Sequence, residues 1–82
     1  MELNETIALM NSADYKERFL AEYYQLSIRL EKLSSMLAKW DAGELDFVPS
    51  CPRSLYDLQI RTMKDYLAVL DARAAIEQIV TK

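Results

Sequence analysis

The chain reads as an all-α protein: an antiparallel helical hairpin with a short N-terminal helical arm, prone to oligomerise. Three observations predict it. The 82 residues contain one Gly and two Pro, too few turn residues for a β-protein or a Rossmann-type fold. Phe19, Tyr23, Leu26, Leu30, Leu33, Leu37 and Trp40 alternate steps of four and three, the spacing of a packed helix seam. Tyr56, Ile60, Met63, Leu67, Leu70 and Ala74 repeat that spacing further along.

The elements follow in order within a single domain, residues 1–82. Residues 1–12 form the arm. Glu2 to Met10 places Leu3, Ile7 and Met10 on one face, a helix too short to hold alone. Asn11-Ser12-Ala13 breaks it, and Asp14 with Glu17 has the spacing of a capping box. The first long helix spans 14–40. Gly43 is suited to a left-handed C-terminal cap. A loop over 41–52 carries Phe47, expected to fold back over the hairpin end. The second long helix spans 53–80, opened by Pro52 in its first turn or by the box Ser54-x-x-Asp57. Each long helix is about 40 Å at roughly 1.5 Å per residue. An antiparallel hairpin brings residues level when their numbers sum to about 94.

Composition excludes several functions. With no His, the commonest general base and nearly all zinc sites are missing. One cysteine, Cys51, forbids an internal disulfide and points to a reducing compartment. No Gly-rich phosphate loop is present. No cofactor, no metal and no catalytic residue is therefore expected. A net charge of −3 argues against duplex nucleic acid as a partner. No apolar run approaches the ~20 residues of a membrane span, and an acidic start, Met1-Glu2-Leu3-Asn4-Glu5, is unlike a signal peptide.

Apolar residues exceed one stripe per helix. Leu20, Tyr24 and Ile28 fall opposite the first seam, while Leu55, Leu58, Tyr66, Val69, Ile76 and Val80 flank the second. The arm covers one such surface and not all, so a homo-oligomer is expected.

The candidate ligand-binding residues are Tyr24, Arg29, Lys32, Arg61, Lys64 and Tyr66. Arg29 and Lys32 come level with Arg61 to Asp65 in the expected register, with Tyr24 and Tyr66 flanking. Cations pair with phosphate and rings stack on a base, so the group suits an anionic nucleotide. Tyr15, Lys16 and Arg18, at the start of the first long helix, are possible additions. The competing reading is a solvated face, with Arg18–Glu22 and Asp57–Arg61 as ordinary i,i+4 pairs. Gln59 is expected to bond across the hairpin or an interface. Cys51 has no His partner for nucleophilic work, and Asp41, Glu44 and Asp46 lack calcium-loop spacing.

Arg18…Glu22…Leu26…Arg29…Lys32-Leu33…Met36-Leu37, then Leu55…Leu58-Gln59…Met63…Tyr66…Leu70…Arg73, covers residues 15 to 75. In these residues the chain resembles a family of small all-helical accessory proteins of tailed phages, including crAss-like phages. The loop Phe47-x-Pro49-x-Cys51-Pro52 departs from that family's shorter acidic loop. The resemblance implies a phage protein acting in the cytoplasm of the infected bacterial host. By analogy, several short helical counter-defence proteins of phages oligomerise and sequester cyclic nucleotide immune signals. The leading expectation is such a sponge, binding a nucleotide second messenger without catalysis. Its alternatives are an inhibitor docking on a host CRISPR or restriction component, and a structural or assembly protein.

Overall fold

The computed structural model describes residues 1–81, and among them it holds helices and no strand. A 3-10 turn, Leu3–Thr6, runs into the short helix α1, Ile7–Met10; α2 spans Tyr15–Asp41 and α3 spans Arg53–Glu77. The two long helices lie side by side in a body of 43 × 24 × 19 Å. Their register follows from two ties between them. The Tyr23 hydroxyl donates to Asp71 at 2.7 Å, and Arg53 binds Asp41 at the turn; both pairs have residue numbers that sum to about 94, as for antiparallel neighbours.

Phe19 and Leu26 of α2 meet Leu70 and Ala74 of α3 in the core, with Leu20, Tyr23, Met63 and Leu67 packed around them. Leu70 is completely enclosed. Every residue of the second seam, Tyr56 to Ala74, is at least half-buried. Ile79 joins this core, which the periodicity did not indicate. The physical reason is the end of α3. The helix stops at Glu77, short of the expected residue 80, because Gln78 turns left-handed (φ 58°) and the Ile79 amide donates to the Ala74 carbonyl at 2.9 Å. That six-to-one bond is the Schellman cap, and its usual apolar contact swings Ile79 inward.

α2 ends by the same motif. Gly43 takes φ 70°, with Gly43 N–H on Trp40 and Glu44 N–H on Lys39. At its start the Asp14 carboxylate accepts from the Lys16 amide, while Glu17 takes the Ser12 hydroxyl and does not reach back to complete the expected box. At α3 the Ser54 box is absent. Pro52 is the N-cap, and Asp57 is held by Arg53 at 2.9 Å.

The arm packs differently from its helical periodicity. Thr6 is buried, Leu3 and Leu9 are half-buried, and Ile7 and Met10 are exposed. A 3-10 start eclipses side chains three apart, so the inward row is Leu3-Thr6-Leu9 and not Leu3-Ile7-Met10. Thr6 Oγ1 donates to the Leu3 carbonyl at 2.7 Å and accepts from Gln25 Nε2 at 2.9 Å. Ala21 and Ile28, a turn before and after Gln25 on the same face of α2, are buried there. Ile28 is therefore unavailable for self-association, and Leu20 and Tyr24 are half-buried. Among the described residues the outer face of α3 stays open.

Two stability outcomes test this packing. Leu70→Ala should cost about 2–5 kcal/mol in urea denaturation, and a loss below about 0.5 kcal/mol would contradict the core. Thr6→Val keeps the shape and strips Gln25 of its oxygen partner, leaving the weak Met10 sulfur contact. It should cost about 1–3 kcal/mol and speed amide exchange in the arm before it does so in α3.

Candidate ligand-binding groove

A concavity of about 390 Å³ lies where the last turns of α2 meet the loop. Its size falls in the range of small-molecule sites. Lys32, Ser35, Met36 and Lys39 come from α2, with Glu44, Leu45, Asp46 and Phe47 from the loop and Glu31 at the margin. Lys32 and Lys39 are seven residues apart, so both ammonium stems project on one face. The Gly43 cap reverses the chain and sets the loop carboxylates opposite them. Phe47, expected to close over the hairpin end, remains half-exposed and forms a wall. It stays open because Trp40 and Tyr56, edge to face at 5.9 Å, already fill the end of the hairpin.

The groove can hold a ligand with an anionic group, a flat apolar part and a polar donor. Lys32 bonds Glu2 of the arm at 3.3 Å, with both side chains largely in solvent; such a pair is worth little and is readily exchanged for a ligand anion. Lys39 sits in the last turn of α2, where the helix dipole favours a cation. Among the described residues no group of three or more His, Cys, Asp or Glu is placed to hold a metal ion.

The six residues singled out by sequence are level along the hairpin but divide between its two edges. Arg29 lies seven residues after Glu22, on the edge where the Tyr66 hydroxyl donates to the Glu22 carboxylate. Lys32 follows on that side, under the arm. Lys64 lies seven residues before Asp71, on the opposite edge marked by the Tyr23–Asp71 bond. Tyr24 sits beside Tyr23 there, their rings edge to face at 5.9 Å, and Arg61 is one turn before Lys64 on the solvent side. One protomer thus presents Arg29, Lys32 and Tyr66 as one set, and Tyr24, Arg61 and Lys64 as another. Lys39 and Phe47 were missed. The seven-residue step from Lys32 to Lys39 was readable in the sequence, whereas the position of Phe47 depends on the loop's path.

Neighbouring polar groups are largely committed to the fold. Arg18 donates to the Ser12 carbonyl at 2.9 Å in place of a Glu22 pair. Tyr15 accepts from Arg73 and donates to Glu77 at 2.8 Å. Gln59, expected to bridge, is exposed; Gln25 makes the amide bridge instead. Arg53 lies over the Trp40 ring at 5.4 Å and binds both Asp41 and Asp57.

The residues that build this arrangement also carry the family signal. Residues 13–76 match the Sequestin family. The chain belongs to that family. The Sequestin match takes in the whole of α2, the loop and all but the last residue of α3, and leaves out the arm. No curated protein and no solved structure gives a significant match.

The turn has a measurable signature. Its hydrogen bond from Arg53 holds the Asp41 carboxyl below its ordinary 3.8. A carboxyl lowered in the folded state adds stability above its unfolded pKa and loses it as pH falls through the lowered value. An NMR titration should show an Asp41 midpoint below the ordinary carboxylate value that rises in Arg53→Gln; an unchanged midpoint would mean that the pair does not persist in solution.

Proposed function

We propose that the chain sequesters a small anionic ligand without turning it over, and that the ligand is a nucleotide second messenger. Membership of the Sequestin family over residues 13–76 carries this reading, since the family's name is consistent with a sequestering, binding role. The inventory of groups supports it. A sponge needs cations for phosphate and faces for a base, and needs neither an imidazole base nor an activated nucleophile. Lys32 and Lys39 are the groove's phosphate partners, Phe47 its stacking face, and Glu44 or Asp46 an acceptor for a base amine. Arg29 and Tyr66 extend the site along the same edge. Arg61, Lys64 and Tyr24 belong to the opposite edge of the hairpin.

The biological setting that fits is a phage protein in the cytoplasm of an infected bacterium, removing a cyclic nucleotide immune signal. Among the described residues no helix is long and apolar enough to cross a membrane. A second reading, docking on a host defence protein, is favoured by one observation: the exposed apolar face of α3.

Calorimetry over a panel of cyclic di- and trinucleotides and ADP-ribose derivatives separates the two. One of them should bind, more weakly as salt rises, because exposed charges are screened over ~8–10 Å near physiological ionic strength. Lys32→Glu and Arg29→Glu should each weaken binding at least tenfold with helicity unchanged, a change of about 1.4 kcal/mol or more. No binding across the panel would overturn the nucleotide reading and favour the docking one.

A further inference from the structure

We infer that the outer face of α3 is a twofold interface, on which a second copy of the chain lies antiparallel. Leu58, Tyr66, Val69 and Ile76 share a row on this helix whose three- and four-residue steps also pass through Thr62 and Arg73, with Leu55 before them and Val80 just past the helix end. At about 100° per residue this row lies roughly 130° around α3 from the seam that meets α2. Among the described residues nothing covers it: the arm contacts α2 and not α3. Val69 is 55% exposed, Ile76 82% and Val80 75%. Leu55, Leu58 and Tyr66 are also exposed, so six large apolar side chains stand on one face, a contiguous patch of the kind that marks a protein–protein contact.

The row is self-complementary, which selects a second copy as its occupant. In an isologous contact residue i meets j and j meets i, so paired numbers share one sum, here about 135. At that sum Tyr66 faces the partner copy's Val69 and Leu58 faces its Ile76. The polar interruptions coincide as well, since Thr62 falls opposite Arg73. Thr62 Oγ1 donates its proton to the Leu58 carbonyl at 2.9 Å and retains its lone pairs. Arg73 uses Nε on Glu77 and Nη2 on Tyr15, leaving Nη1 with no partner among the described residues. Each guanidinium can therefore donate across to the other copy's Thr62, twice per dimer. Ala72, three residues after Val69 and four before Ile76, borders the row and is exposed; its small side chain lets the two backbones approach.

The axis passes between residues 67 and 68 and so beside Tyr66. Arg29, level with residue 65 and on the Tyr66 edge, is brought close to the axis too. The dimer then presents two Arg29 and two Tyr66 side chains around one symmetry axis. This consequence rests on the sequestering reading above; the interface itself does not.

The test uses the full chain with Cys51→Ser. Light scattering should give twice the 9.5 kDa chain mass, or a multiple of it, and Val69→Glu with Ile76→Glu should halve the smallest species while helicity is kept. In an oxidised mixture of Leu58→Cys and Ile76→Cys chains, disulfides should join one variant to the other. Neither variant should pair with itself, because like positions lie about 27 Å apart at ~1.5 Å per residue. A single-chain mass at every concentration, a mass unaffected by the two glutamates, or a Leu58→Cys homodimer would each overturn the twofold. A monomeric wild type that still binds nucleotide overturns the interface and keeps the sequestering reading. A cross-linked dimer that binds none overturns the ligand and keeps the interface.

Discussion

Two packed helices bury one stripe each, and every other feature of this molecule answers to that limit. Leu70, wholly enclosed among Phe19, Leu26, Ala74 and Ile79, is the centre of the stripe that α2 and α3 share. α2 has a second face to cover, and the arm covers it with the polar contact of Thr6 and Gln25 set over Ala21 and Ile28. A buried hydroxyl that both donates and accepts can occur there because both of its roles are filled. α3 has no such cover. Among the described residues its apolar row, from Leu58 to Ile76, stays exposed.

The same economy shapes the charges. Arginines near the helix ends are committed: Arg53 to Asp41, Asp57 and the Trp40 ring, and Arg73 to Glu77, Tyr15 and the Phe19 ring at 5.0 Å. Tyrosines hold carboxylates across the hairpin, as Tyr23 does with Asp71 and Tyr66 with Glu22; donating to Asp71 raises the Tyr23 hydroxyl above its ordinary value and keeps it a donor. What the fold leaves weakly engaged is a set of cations along α2, with Arg29 and Lys39 exposed and Lys32 in a single solvent-exposed pair. Cations that structure does not consume are the ones a ligand can use.

The hairpin, its register and both seams were legible in the sequence because a 3.6-residue period is imposed by backbone geometry and needs only side-chain size to be read. The arm's face was misjudged because its first turn is 3-10, which changes the row from Leu3-Ile7-Met10 to Leu3-Thr6-Leu9. The end of α3 was misplaced because Gln78 takes the left-handed position that glycine usually marks. Of the site, the residue types and their levels along the hairpin were readable. Their division between two edges depended on small rotations around each helix, and the Phe47 wall on a loop path without periodicity.

Capture without chemistry is the central claim, and the fate of the ligand tests it most directly. A cyclic nucleotide that binds should be incubated with excess protein, exposed to a phosphodiesterase, released by heat and analysed by mass spectrometry. The account predicts that the nucleotide is protected while the protein is folded and recovered intact, in stoichiometric amount, after denaturation. A cleaved or transferred product formed by the protein alone, or destruction of the nucleotide at its free rate, would contradict it.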